Sequence, residues 1–120
     1  MQRMSIILGA AVLVVLVKPA ISADAEHGKA LFFACAACHQ EKPDALGPSL
    51  KGVLGRKSAA LDDFRYSNPM KRANLVWDEA SLREYIADPQ AKVKGNRMPF
   101  DGLHDPKDVD DIIEYIKTYK

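Results

Sequence analysis

Cys35-Ala-Ala-Cys38-His39 constrains this chain more than any other stretch. Two thiols three residues apart, followed at once by an imidazole, read as an attachment site for a c-type haem. The thiols add across the two vinyl groups of the porphyrin and become thioethers. One turn of chain carries both sulfurs under one porphyrin edge and leaves His39 facing the iron. Three other readings of a Cys-x-x-Cys pair compete. A thioredoxin-like dithiol needs a strand–helix context that is missing here. A disulfide closing so short a loop gives little entropic benefit, and half a zinc site lacks a second cysteine pair. None of the three has a use for the histidine directly after the second cysteine.

Both cysteines of the 120-residue chain lie in that motif, and the length fits one domain. Residues 1–23 differ from the rest. Arg3 gives a positive start, Ile6 to Val17 is an apolar run of 12 residues, and small residues follow at Ala20, Ser22 and Ala23. This pattern predicts a secretory signal peptide cleaved after Ala23. The run is shorter than the ~20 residues of a membrane span. Ile21 is an imperfect small residue for a cleavage site, so an uncleaved N-terminal anchor is the competing reading. Either way the domain, residues 24–120, is exported to a compartment where free thiols pair and thioethers do not. Without Arg3 and Lys18, 15 basic side chains face 16 acidic ones, a formal charge of −1. That balance gives a nucleic-acid role no electrostatic support. A domain of this size buries little more than ~60% of its unfolded surface, and a large apolar macrocycle would supply the missing core.

Three helices are expected. Residues 24–34 are capped by Asp24 and rich in helix formers. Gly28 and Phe32 share one face, and a mid-helix glycine suggests close approach of another backbone or ring. Residues 78–88 present Leu82, Tyr85 and Ile86 at helical spacing and end before Pro89. Residues 105–119 carry Asp105 as cap, Pro106 at the first position and an apolar stripe of Val109, Ile112, Ile113 and Ile116. The acidic cluster Asp108, Asp110 and Asp111 reads as complement to the positive helix end. Residues 40–58 and 91–102 read as loop, from their glycines and prolines, and a short helical turn is expected around Asn68-Pro69-Met70. Pro48 is either a rigid turn or the carbonyl acceptor for the second ring N–H of His39. Phe64, Tyr66 and Trp77 pack in the core or reach haem propionates.

Haem iron needs a sixth ligand or an open site. Met98 lies 59 residues beyond His39 in Lys-Gly-Asn-Arg-Met98-Pro-Phe, and a thioether there would favour ferrous iron and raise the potential. Met70 is the alternative ligand, or it packs on the ring. His27 and His104 are lesser candidates, and His27 is expected to be solvated.

With these residues in place the chain resembles the class I cytochromes c, close to the mitochondrial and small bacterial soluble type. The resemblance covers residues 24–120. It is carried by Gly28 and Phe32, Cys35 to His39, Leu46-Gly-Pro48-Ser-Leu50, Gly55-Arg56-Lys57, Phe64-Arg-Tyr66-Ser, Val76-Trp77, Leu82-Arg-Glu-Tyr85-Ile, Arg97-Met98-Pro-Phe100 and Ile112-Ile-Glu-Tyr115-Ile116. It implies an all-α fold, with three main helices and long loops around one covalently bound haem c, the first and last helices crossing. It implies that Gly28 lets Tyr115 and Ile116 come close, and that Pro48 accepts from His39. Arg56, Tyr66 and Trp77 match residues around the buried propionates, and Tyr85 matches a buried tyrosine near the methionine sulfur. Met98 becomes the distal ligand opposite His39. Met70 stands where members often carry asparagine, and so packs on the haem. Arg97 stands where a lysine often precedes the ligand, and the strong positive charge of mitochondrial members is absent.

The expected function is a one-electron carrier of the bacterial periplasm rather than an enzyme. Its expected partners are a membrane oxidase, a quinol–cytochrome c reductase or a periplasmic dehydrogenase. A monomer is expected, in contact with membrane only if the leader is retained. Lys42, Lys51, Lys57, Lys92, Lys94 and Arg97 are candidates for a positive rim that steers acidic partners, with a plain solvated surface as the alternative. A haem protein with a labile sixth site, peroxidase-like or gas-binding, and an electron-accepting subunit docked to a dehydrogenase are the rival functions.

Overall fold

The structure, a computed structural model, describes residues 9–17 and 22–120. The signal peptide expected over residues 1–23 lies largely outside the described residues. In its described part no helix or strand forms, and Val12 to Val17 are exposed. Five helices follow: α1 (Ala25–Ala36), α2 (Asn68–Arg72), α3 (Glu79–Ala87), α4 (Pro89–Lys92) and α5 (Pro106–Thr118). Each has a side-chain cap. Asp24 accepts from the N–H groups of Glu26 and His27, Ser67 from Met70, Asp78 from Ser81, Asp88 from Ala91, and Asp105 from Lys107. Among the described residues the only β pairing is one antiparallel bridge between Lys57 and Val76.

The core forms where α1, α3 and α5 meet. Phe32, Leu82, Tyr85, Val109, Ile112, Ile113 and Ile116 are buried there, with Trp77, Val53 and Val93 from the intervening segments. The stripe expected on α5 is thus the inner face of that helix. A Cβ on Gly28 would stand 2.0 Å from the carbonyl oxygen of Asp111 and 3.1 Å from the Cα of Ile112. The expectation that Gly28 admits Tyr115 and Ile116 is therefore corrected. The backbones touch one turn earlier, and Tyr115 instead packs on Phe32, with ring centroids 5.0 Å apart. Tyr119 meets the same Phe32 ring, also at 5.0 Å.

Pro89 does more than end α3. Its missing N–H suits a first-turn position, and Asp88, pushed into extended geometry by the proline, caps the short helix α4. Sequence patterning places only loop after Pro89, because four residues show no apolar period. Asp111 also goes beyond its expected role. Beyond complementing the positive end of α5, it is buried and accepts the Asp24 N–H at the start of α1.

Candidate cofactor site

Helix α1 carries the attachment motif out of its last turn. The N–H groups of Cys38 and His39 both donate to the Cys35 carbonyl, at 3.2 and 2.9 Å. The two cysteines therefore sit a helical turn apart, and both are free and partly buried. Burial pushes the Cys35 thiol above its ordinary range. The chain then folds back, and Gly47 donates to the Cys38 carbonyl at 2.9 Å. Gly47 has to be glycine: a Cβ would lie 2.5 Å from Cε1 of the His39 ring. That close approach brings the Pro48 carbonyl to 2.7 Å from His39 Nδ1. Burial lowers the proton affinity of His39, the Pro48 carbonyl partly opposes this, and Arg56 adds to the lowering. A neutral ring that donates Nδ1–H to Pro48 keeps the Nε2 lone pair as its metal-binding atom.

Met98 is held by a second framework. Asn96 is buried, and its amide nitrogen donates to the carbonyls of Pro89 and Val93 at 3.0 and 2.9 Å. Its Oδ1 accepts the Met98 N–H at 2.9 Å. Gln90 reinforces the turn, donating to the Asn96 carbonyl at 2.9 Å and accepting the Gly95 N–H at 3.0 Å. On the far side of Met98 the chain returns to α3, where Leu103 donates to the Ile86 carbonyl. A Cβ on Gly102 would meet the Ala87 carbonyl oxygen at 2.1 Å, and its φ of +106° also calls for glycine. The Tyr85 hydroxyl donates to Met98 Sδ at 3.9 Å, and burial pushes that phenol up to about 12, so it stays a donor. Sequence reasoning missed Asn96 and Gln90. Their signal was only a polar pair around Gly95, which reads as solvated loop until α4 is known.

The bridge between Lys57 and Val76 aligns the third wall. Trp77 donates to the Arg56 carbonyl at 2.8 Å, and Gly55 to the Trp77 carbonyl at 2.7 Å. Arg56 donates through Nη2 to the Ser49 carbonyl at 2.6 Å. Trp77 packs on Tyr85 with centroids 5.0 Å apart, and Tyr66 on Phe64 at 4.9 Å. The Tyr66 hydroxyl accepts the Leu61 N–H at 3.3 Å.

These three walls enclose a cavity of ≈ 670 Å³. Cys35, Cys38, His39, Pro48, Arg56, Tyr66, Met70, Trp77, Tyr85 and Met98 all line it, and His27 and His104 do not. The size lies within the ~300–1,000 Å³ common for cofactor sites, and so does the chemistry of mostly apolar walls with a few placed polar groups. Two thiols, one neutral imidazole and the two thioethers of Met70 and Met98, with a guanidinium at the wall, fit a covalently held haem with a carboxylate-bearing edge.

Comparison with known proteins agrees. The family model for cytochrome c matches residues 25–120. Cytochrome c2 iso-2 of Magnetospirillum molischianum is 45% identical over 100 residues, covering 82% of this chain and 100% of that protein. Cytochrome c2 of Blastochloris viridis is 40% identical over 117 residues, covering 95% and 92%. The structure of cytochrome cH from Methylobacterium extorquens superposes with a TM-score of 0.75 at 46% identity, covering 79% of this chain and 98% of that one. An all-α fold around such a cavity defines a covalent haem carrier. The chain belongs to the cytochrome c family, as a class I bacterial member. It carries haem c and acts in electron transfer with redox partner complexes, not as an enzyme.

Proposed function

We propose that His39 and Met98 are the axial ligands of the haem iron, that Cys35 and Cys38 form its thioether links, and that the protein shuttles electrons in the bacterial periplasm after its leader is cleaved behind Ala23. When bound, the haem supplies one-electron exchange between ferric and ferrous iron. The chain's part is to hold both ligands, keep water out and tune the iron. Pro48 orients the His39 imidazole, and Asn96 and Tyr85 hold the Met98 thioether. Arg56, Tyr66 and Trp77 receive the propionate edge, and Met70 packs on the ring. The observation that carries this reading is one cavity lined by both a neutral, carbonyl-anchored imidazole and a backbone-anchored thioether.

Of the six side chains named from sequence for a positive rim, Lys42, Lys51, Lys92 and Lys94 do not line the cavity. Lys57 and Arg97 border the cavity. Arg97 also joins Arg65 and Lys71 around an adjoining cleft. Lys92 is engaged by Glu84 at 2.5 Å, and Lys42 by Asp44 at 3.8 Å. A patch of Lys57, Arg65, Lys71 and Arg97 therefore suits a monomeric carrier that meets acidic surfaces of an oxidase, a quinol–cytochrome c reductase or a dehydrogenase.

Replacing Met98 by alanine tests the ligand set. The expected outcome is loss of the methionine–iron charge-transfer band, a lower reduction potential, and rapid binding of cyanide to the ferric protein and of carbon monoxide to the ferrous protein. An unchanged spectrum would move the ligand to Met70.

A further inference from the structure

We propose that Asp111 is the docking site for the α-ammonium group that removal of the leader creates on Asp24, so that processing itself locks α1 onto α5. The proposal rests on cleavage after Ala23. Hydrolysis of the Ala23–Asp24 amide by a signal peptidase consumes one water. It leaves a carboxylate on Ala23 and an amine on Asp24, which takes up a proton. The bond is reachable, since Ser22 and Ala23 are exposed and outside any helix.

The atom that would become the ammonium is already in place. The Asp24 nitrogen donates to Asp111 Oδ1 at 2.7 Å across 87 residues of sequence. The Asp111 side chain is 2% exposed. Its other partners are Lys107 Nζ at 2.5 Å on Oδ1 and His27 Nδ1 at 2.7 Å on Oδ2. Around this point the charges do not balance. On α1 stand the Asp24 carboxylate and His27, and on α5 stand Lys107, Asp108, Asp110 and Asp111. Asp110 is taken by Arg83 of α3 at 2.9 Å. Three carboxylates, Asp24, Asp108 and Asp111, thus face one permanent cation, Lys107, and a histidine charged only when protonated. A terminal ammonium supplies a second cation at neutral pH from the nitrogen already bonded there, and turns a hydrogen bond from a neutral amide to the Asp111 carboxylate into an ion pair.

The same geometry removes the usual objection to a positive terminus at a helix start, where the macrodipole disfavours it. The Asp24 carboxylate caps the first turn, and Asp111 accepts the terminal nitrogen. His27, Asp108 and Asp111 also offer metal-binding atoms within 4.8 Å of one another. Asp111 Oδ1 is nevertheless already shared by two N–H donors, so the site suits ammonium groups rather than a metal ion. An amine held this way titrates above the ~7.7–8.0 of a free terminus. Its stabilisation is complete below that range and is lost as pH rises through the folded-state value.

The test uses exported holoprotein. Its mass reports the terminus: a chain beginning elsewhere than Asp24 overturns both the processing reading and the native role of the ammonium. The pairing is measured separately on holoprotein made to begin at Asp24, compared with a form that retains Ser22 and Ala23. NMR titration should place the Asp24 α-amine about one unit above the free value, a tenfold effect on its proton binding. At pH 7 the Asp24 form should show about a tenfold smaller unfolding constant than the extended form, converging with it at high pH. In Asp111→Asn the α-amine should return to the ordinary range. An ordinary value in the parent protein, or equal stability of the two forms at pH 7, would overturn the pairing.

Discussion

Tyr85 shows how a single side chain connects packing to redox chemistry. Its ring packs on Trp77, and its hydroxyl reaches Met98 Sδ at 3.9 Å. With Met98 as the iron ligand proposed above, a donor on its sulfur draws off electron density that would otherwise go to ferric iron, and so raises the potential. Tyr85→Phe keeps the ring and removes the donor. The potential, read by redox titration, should fall with little change in the unfolding midpoint. An unaltered potential would reduce Tyr85 to packing. At this scale the sequence was highly legible. The ten residues named for the site line one cavity: the covalent motif and its histidine were legible from their own chemistry, whereas Arg56, Tyr85 and the choice of Met98 over Met70 came with the family resemblance. Asn96 was not legible, since an amide in a glycine-flanked loop acquires meaning only from the carbonyls it meets.

Two elements depend on contacts that sequence reading placed imperfectly. In the first, α1 crosses α5 with the Gly28 Cα against the Asp111 carbonyl. Alanine is the better helix former by ~1 kcal/mol, but here its methyl would overlap a backbone atom that cannot swing away. Gly28→Ala should therefore destabilise by about 1–3 kcal/mol net, the range for overpacking, in urea unfolding of the holoprotein. A gain in stability would show that the crossing can relax. Capping and helix-forming composition identified α1, and the apolar stripe identified α5, but neither could say which turn of α5 meets the glycine. In the second, α4 exists because Asp88 caps it and Asn96 bonds back to its carbonyls. Asn96→Ala leaves the Pro89 and Val93 carbonyls and the Met98 N–H without that partner. A loss of about 1–3 kcal/mol is expected, together with easier displacement of Met98 by cyanide. Unchanged cyanide binding would show that the amide supports α4 alone.

For the molecule as a whole, the core and the cofactor are one structure. Phe32, Val53, Trp77, Leu82, Tyr85, Ile112 and Ile116 are buried residues that also line the cavity of ≈ 670 Å³. Without the macrocycle those apolar walls would face water and forfeit much of the burial on which the ~5–15 kcal/mol stability of a typical domain depends. The double variant Cys35→Ser and Cys38→Ser, which cannot attach haem, should accordingly lose most of its helical circular dichroism. A native-like spectrum would mean that the walls collapse on their own. Reading the residues alone establishes the covalent motif with its histidine and the helices flanking it, because these depend on local spacing and on the intrinsic chemistry of sulfur and imidazole, while the choice of Met98 over Met70 as proposed ligand rests on the family resemblance. Only the tertiary structure decided that Asp111 lies beneath the start of α1, that Asn96 anchors Met98, and that Gly28 meets the Asp111 carbonyl. Those contacts join residues up to 87 positions apart, and their energy depends on burial and on neighbours that no local pattern records.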